Sequence, residues 1–286
     1  MKFGLAAFVT DEGIRPEELA RAAEDRGFES LLVPEHSHIP ANRKTPYPGG
    51  GDLPRPYYRS LDPFAALAAA ASATDRIKLG TGICAVFQRD PIHTAKEVAT
   101  VDYLSNGRFL FGVGGGWLRE EMRDHGTDPA VRLRVVRERI QAMKALWTQE
   151  IAEYHGEHID FPPSYLWPKP VQRPHPPILV GGMGPTVLDR VLDYGDGWLP
   201  NLIGQPPERL HAMLRKLRDK AADAGRAPVP VTVLGAAANG EEFDRYEELG
   251  VERVLFLLPT APGDETLARL DALAELVGKQ DTHKER

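Results

Sequence analysis

The feature that most constrains this chain is an eightfold alternation of two periods. Short apolar runs of strand length are each followed by a segment with helical spacing. The runs are Phe3–Val9, Ser30–Val33, Ile77–Thr81, Phe109–Val113, Pro177–Val180, Gly197–Leu199, Val229–Leu234 and Val254–Leu257. The helical segments are Pro16–Arg26, Pro63–Ala73, Pro91–Leu104, Pro129–Trp147, Thr186–Tyr194, Pro207–Ala224, Glu241–Leu249 and Thr266–Val277. Asp62 before Pro63 carries the signature of a helix start: a side-chain cap followed by a proline whose missing N–H costs nothing there. The runs are apolar throughout rather than alternating, which predicts strands buried on both faces and therefore a parallel sheet covered by helices. With 286 residues and no linker-like stretch, the pattern predicts an α/β fold, a single (β/α)8 TIM barrel over residues 1–278. A long loop follows strand two, and a small hairpin insertion over 151–162 precedes strand five. The polar residues 279–286 are expected to fray. An open doubly wound sheet is the rival, but Thr10-Asp11-Glu12-Gly13 after strand one carries no glycine fingerprint.

Composition removes several functions. Lys and Arg number 35 against 41 Asp and Glu, a net charge of −6, which gives no electrostatic reason to bind nucleic acid or an anionic membrane. No apolar run approaches the ~20 residues of a membrane span, and no signal-peptide pattern opens the sequence. One cysteine excludes an internal disulfide framework and fits a cytoplasmic protein.

In a barrel, chemistry belongs to the loops after the strands. Strand two leads into Glu35-His36-Ser37-His38 and then a loop reaching Ser60 that carries Tyr47, Tyr57 and Tyr58. So long a loop predicts a lid or pocket wall. His36 is the candidate proton donor or acceptor, with His38, Tyr57, Tyr58 and Phe87 beside the substrate. His36-x-His38 could begin a metal site, but the ends of strands five, six and eight supply no further ligand, so no metal is expected. Strand three ends in Gly80-Thr81-Gly82-Ile83-Cys84, where two glycines predict a bulge or a close ligand approach, and Cys84 reads as a small buried residue rather than a nucleophile. Strand four ends in Gly112-Val113-Gly114-Gly115-Gly116-Trp117, leaving room for a flat ligand. Strand five ends in Gly181-Gly182-Met183-Gly184-Pro185-Thr186, glycines leading into a helix, which predicts a phosphate site.

These stretches resemble the luciferase-like superfamily of flavin and deazaflavin oxidoreductases, and within it the class using coenzyme F420. The resemblance rests on Pro34-Glu35-His36, Leu79–Ile83, Asp90-Pro91 with Ala95-Lys96-Glu97, Leu104–Arg108, Gly112–Trp117, Pro168–Gln172 with Pro176-Pro177, and Val180–Gly182 with Tyr194–Trp198. It implies a cofactor lying across the strand ends, with a non-prolyl cis peptide at Gly82–Ile83. Thr81 and Cys84 would flank the ring, Gly115, Gly116 and Trp117 would lie near its edge, and Gly181, Gly182, Met183 and Gly184 would hold its phosphate. His36 matches the family's pocket histidine. Two departures stand out. Trp117 occupies a place where some F420 dehydrogenases have Glu, and Pro40 one where they have Trp. They suggest a drier, aromatic pocket of Trp117, Phe87 and Tyr57 or Tyr58.

The expected activity is hydride transfer between F420 and a small organic substrate. An FMN-dependent monooxygenase is the alternative, and a non-catalytic flavin-binding protein the second alternative. The resemblance also implies a homodimer.

Overall fold

The computed structural model describes residues 1–236 and 239–284, with side chains as far as Lys279. In chain order the elements are β1 (Lys2–Ala7), α1 (Pro16–Asp25), β2 (Ser30–Val33), α2 (Pro63–Ser72), β3 (Lys78–Thr81), α3 (Pro91–Leu104), β4 (Phe109–Val113), α4 (Arg119–Asp124) and α5 (Arg132–Thr148). There follow β5 (Ala152–His155), β6 (Asp160–Ser164), β7 (Ile178–Gly181), α6 (Val187–Tyr194), β8 (Gly197–Leu199), α7 (Pro207–Asp223), β9 (Thr232–Leu234), α8 (Gly240–Glu248), β10 (Arg253–Leu258) and α9 (Gly263–Lys284).

Eight strands pair in parallel in the order β8-β7-β4-β3-β2-β1-β10-β9, and β5 with β6 forms a separate antiparallel hairpin. Bridges Trp198–Val231 and Asn201–Leu234 join the two ends of the row, so the sheet closes into a (β/α)8 barrel. Alternate side chains separate two apolar layers, as strand geometry requires. Ala6, Leu32, Leu110, Leu179, Leu199, Leu234 and Leu255 fill the barrel interior, with Ile83 and Ile203 resting on top. The other strand faces pack against the helices, with Trp147, Trp198, Phe109 and Phe111 almost fully buried. Helices α2 and α3 start as the sequence predicts: Asp62 accepts from Ala65 N at 2.9 Å and Asp90 from His93 N at 2.8 Å, each just before a proline.

Several boundaries differ from the sequence reading, each for a local reason. β1 stops at Ala7 because its partner β10 ends at Leu258 before Pro259, which has no N–H to continue the ladder. Phe8 is thereby left to face the barrel mouth. β9 is shorter than expected, Pro230 acting in the same way. α5 begins at Arg132 rather than Pro129, because Asp128 first closes a turn that accepts Ala130 N at 2.9 Å on its side chain. α9 continues to Lys284, through most of the segment expected to fray; 285–286 lie outside the described residues. Among the described residues no helix is long and apolar enough to cross a membrane.

Candidate active site

Two neighbouring residues at the end of β2 divide the work of building the site. Glu35, 6% exposed, turns inward and accepts Ala85 N at 2.6 Å and Arg89 Nε at 2.6 Å. The same guanidinium reaches Asp62 at 2.5 Å and Glu97 at 3.0 Å. Burial disfavours charge on Arg89, but Glu35, Asp62 and Glu97 together outweigh it and keep the guanidinium charged. This network ties the β2 end to the segment after β3. The Gly82–Ile83 peptide there is cis, at the position the sequence resemblance implies.

His36, the next residue, faces the barrel mouth. Its Nδ1 lies 2.8 Å from Glu121 Oε2, and Glu121 is 2% exposed. The other oxygen of Glu121 accepts Ser37 N at 2.9 Å and the Ser37 hydroxyl at 3.2 Å. Burial raises the Glu121 pKa, but the hydrogen bond and charge of His36 outweigh burial, and the carboxyl sits below its ordinary value. A carboxylate on Nδ1 fixes the ring and leaves Nε2 as the nitrogen that can face a ligand.

Around His36 stand three aromatic rings. Tyr57 is 5.3 Å away between ring centres and Trp117 5.8 Å, with Tyr47 5.3 Å from Tyr57 and 6.0 Å from Trp117. Tyr57 donates to the Tyr47 hydroxyl oxygen at 3.3 Å. Burial, with Tyr47 beside it, pushes the Tyr57 phenol pKa up, so the hydroxyl stays protonated. Gly116 makes the turn that delivers Trp117. Its φ is +62°, and a Cβ there would stand 2.5 Å from the buried Phe87 ring.

The cavity these residues enclose holds about 960 Å³ of empty space, open solvent at its mouth included. Its floor is small or aliphatic: Ala6, Ala7, Gly82, Ile83, Leu234 and Leu258. Of the residues singled out in the sequence, His36, Tyr57, Gly82, Ile83, Phe87, Gly116 and Trp117 all line it.

Others lie elsewhere. Thr81 is fully buried and its hydroxyl donates to Gly112 O at 2.7 Å, holding β3 to β4. Cys84 is fully buried, bridges to Val113, and burial and then Glu35 push its thiol pKa well up, so it packs as an inert small side chain. Gly115 and Gly181–Gly184 sit beyond the cavity wall. Gly181 has no room for a Cβ, which would lie 2.7 Å from Ile83 Cγ2, while the Gly182 amide is spent on Leu199 O at 3.2 Å. Tyr58 is 55% exposed and outside the cavity, because consecutive residues of the tight turn Arg55–Tyr58 point in different directions. His38 also misses the cavity; it lies at the surface with Nε2 3.1 Å from Asp124.

Sequence reasoning passes over Glu121, Phe8, Asn201 and Ile203, all of which line the cavity. Glu121 had one legible signal, an acid flanked by Leu118 and Met122 on a short helix directly after the glycine run. Phe8, Asn201 and Ile203 had none, since each follows a strand whose end is set by pairing.

The closed barrel carries an apolar, small-residue floor and a carboxylate-backed imidazole at its C-terminal mouth, where TIM-barrel enzymes hold their active sites. The chain belongs to the luciferase-like monooxygenase family, whose profile matches residues 11–284. A Mycobacterium tuberculosis protein is 42% identical over 283 residues, covering 96% of this chain and 98% of its own. The FMNH2-dependent dimethylsulfone monooxygenase of Pseudomonas putida is 34% identical over 183 residues, 62% of this chain and 49% of that protein. Among solved structures, a monooxygenase from Streptomyces bottropensis superposes with a TM-score of 0.78 at 24% identity, covering 96% of this chain and 98% of that one. An F420-dependent secondary alcohol dehydrogenase holding an F420–acetone adduct superposes at 0.76 and 20% identity, covering 98% and 99%. At these identities the two structures speak to the fold.

Proposed function

We propose that the protein is an F420-dependent oxidoreductase acting on a small organic substrate. The observation that carries this reading is the pairing of His36 with Glu121 in the same cavity that Gly82 and Ile83 line. The floor fits a flat tricyclic ring: Ala6, Ala7 and Gly82 project nothing large into it, and Ile83, Leu234 and Leu258 give an apolar face. Reduced F420, when bound, supplies a hydride. Gly115, Gly116 and Trp117 would border the ring, and the turn of Gly181, Gly182, Met183 and Gly184 would hold the phosphate at the start of α6, the Gly182 amide, already given to Leu199 O, taking no part; the cap residue Thr186 makes no side-chain cap of its own.

The chain's own residues do the rest. Glu121 holds the His36 ring so that Nε2 meets the substrate, and His36 gives or takes the proton there. Tyr47, Tyr57 and Trp117 exclude water and fix the reacting group against the ring. The test is a titration of the purified protein with F420 and with FMN, followed by absorbance and fluorescence. Micromolar F420 binding with much weaker FMN binding is the expected result. The likeness to the FMNH2-dependent enzyme favours one second reading, a monooxygenase using reduced FMN, and the reverse preference in that titration would establish it.

Homodimerisation is part of the proposal. Tyr103, Tyr165 and Trp167 are 63%, 68% and 52% exposed on α3 and beyond the β5–β6 hairpin, and light scattering on the eluting protein tests it.

A further inference from the structure

The cavity is unusual in where its charge is not. Among the described residues no lysine or arginine lines it. The two carboxylates that do, Glu35 and Glu121, are saturated by the donors already named, so neither offers charge to a ligand. Arg89 behind Glu35 is spent on Glu35, Asp62 and Glu97, and Lys44, Arg119, Arg123 and Arg132 line a separate cleft that shares only Pro48, Gly116 and Trp117 with the cavity. An anionic substrate inside would be desolvated beside two buried carboxylates with no free cation to pair with, which disfavours its binding.

What the cavity does offer is a neutral hydroxyl donor among aromatic walls. Because Tyr57 gives its hydroxyl hydrogen to Tyr47, the Tyr47 hydrogen is left for another acceptor. His36, its Nδ1–H given to the Glu121 carboxylate, presents Nε2 as an acceptor. Tyr47, Tyr57 and Trp117 meet one another at 66°, 72° and 78°, forming an edge-on wall suited to a flat ring. Leu257, 45% exposed, extends the apolar surface on the opposite side.

We propose that the substrate is an uncharged, flat, largely apolar ring compound bearing a ketone or enone carbonyl, whose oxygen accepts from the Tyr47 hydroxyl. This rests on the reading of the site as a cofactor-floored pocket, and it adds the class of compound that the space above the floor selects.

The test uses the full-length protein with saturating cofactor and a matched pair of probes, 2-acetylnaphthalene and 6-acetyl-2-naphthoate, in isothermal titration. The neutral ketone is expected to bind at least ~30-fold more tightly than the naphthoate, the discrimination an unpaired buried carboxylate imposes. Tyr47→Phe is expected to weaken the ketone ~5–10-fold, the value of one hydrogen bond, while leaving 2-ethylnaphthalene, which lacks the carbonyl, unchanged. Displacement of the bound ketone by an equal concentration of the naphthoate would overturn the proposal. So would an unchanged ketone affinity in Tyr47→Phe, or no binding of the ketone up to its solubility. The cofactor titration is read separately, so failure of the substrate class and failure of the cofactor reading are distinguishable.

Discussion

His36 Nδ1 and Glu121 Oε2 lie 2.8 Å apart although 85 residues separate them in the chain, and the contact joins the loop after β2 to the short helix after β4. Replacing His36 by Ala leaves the apolar floor intact and removes the proton donor. Turnover is expected to fall ~100-fold or more with cofactor affinity within about twofold of wild type. Equal turnover in His36→Ala would remove the residue from the mechanism.

Glu121→Gln keeps the shape of the pair and removes its charge. The native carboxyl titrates below its ordinary value because of His36, so in the native protein it is ionised throughout the neutral range. The variant is expected to lose ~10–100-fold in turnover, as seen when the group that orients a catalytic imidazole is neutralised. Steady-state rates across pH 5–9 check this, together with retained cofactor affinity.

Arg89 holds Glu35, Asp62 and Glu97 at once, and its side chain is 17% exposed. Arg89→Met leaves Glu35 charged and buried without its cation, a loss of about 3–5 kcal/mol. Thermal unfolding should shift down by roughly 10 °C. Lysine in its place should recover less than half of that, because a single ammonium cannot reproduce the fork.

Gly116→Ala combines a left-handed backbone with a Cβ against the fixed Phe87 ring. Destabilisation of about 1–3 kcal/mol is expected. Since Trp117 follows directly, cofactor affinity should drop about tenfold in an equilibrium titration.

At the opposite end of the barrel Glu29 makes a two-pronged contact with Arg253, at 2.6 and 2.7 Å, and Arg253 is 3% exposed. Burial raises the Glu29 pKa, but Arg253 wins and lowers it from 4.5 to about 2. The folded value lies below the unfolded one, so the stabilisation is fully present above pH 4.5 and is lost as pH falls toward 2. With partial exposure discounted it is worth about 2 kcal/mol. Urea melts of Glu29→Gln should therefore show that deficit at pH 7 and a shrinking one at pH 3.5.

The barrel was legible because its eight strands are buried almost throughout, leaving eight apolar runs between glycines, prolines and helical spacing. Boundaries were less legible where a partner strand, not the residue itself, ends the ladder, as Pro259 ends β10 and so releases Phe8 from β1. Within the site, His36 and the Gly82–Ile83 turn could be read because local sequence makes them. Glu121 could not, since nothing near it says that a loop 85 residues earlier supplies its partner. Tyr57 and Tyr58 were indistinguishable in sequence; only the pitch of one tight turn sends the first inward and the second to solvent.

The adjacency of Glu35 and His36 carries a consequence for substitution. The clamp to Arg89 and Ala85 fixes the backbone on which the imidazole is mounted, yet makes no use of the imidazole. A change of proton carrier at position 36 would thus leave the clamp at position 35 standing, its cost falling on the buried Glu121 carboxylate rather than on the barrel.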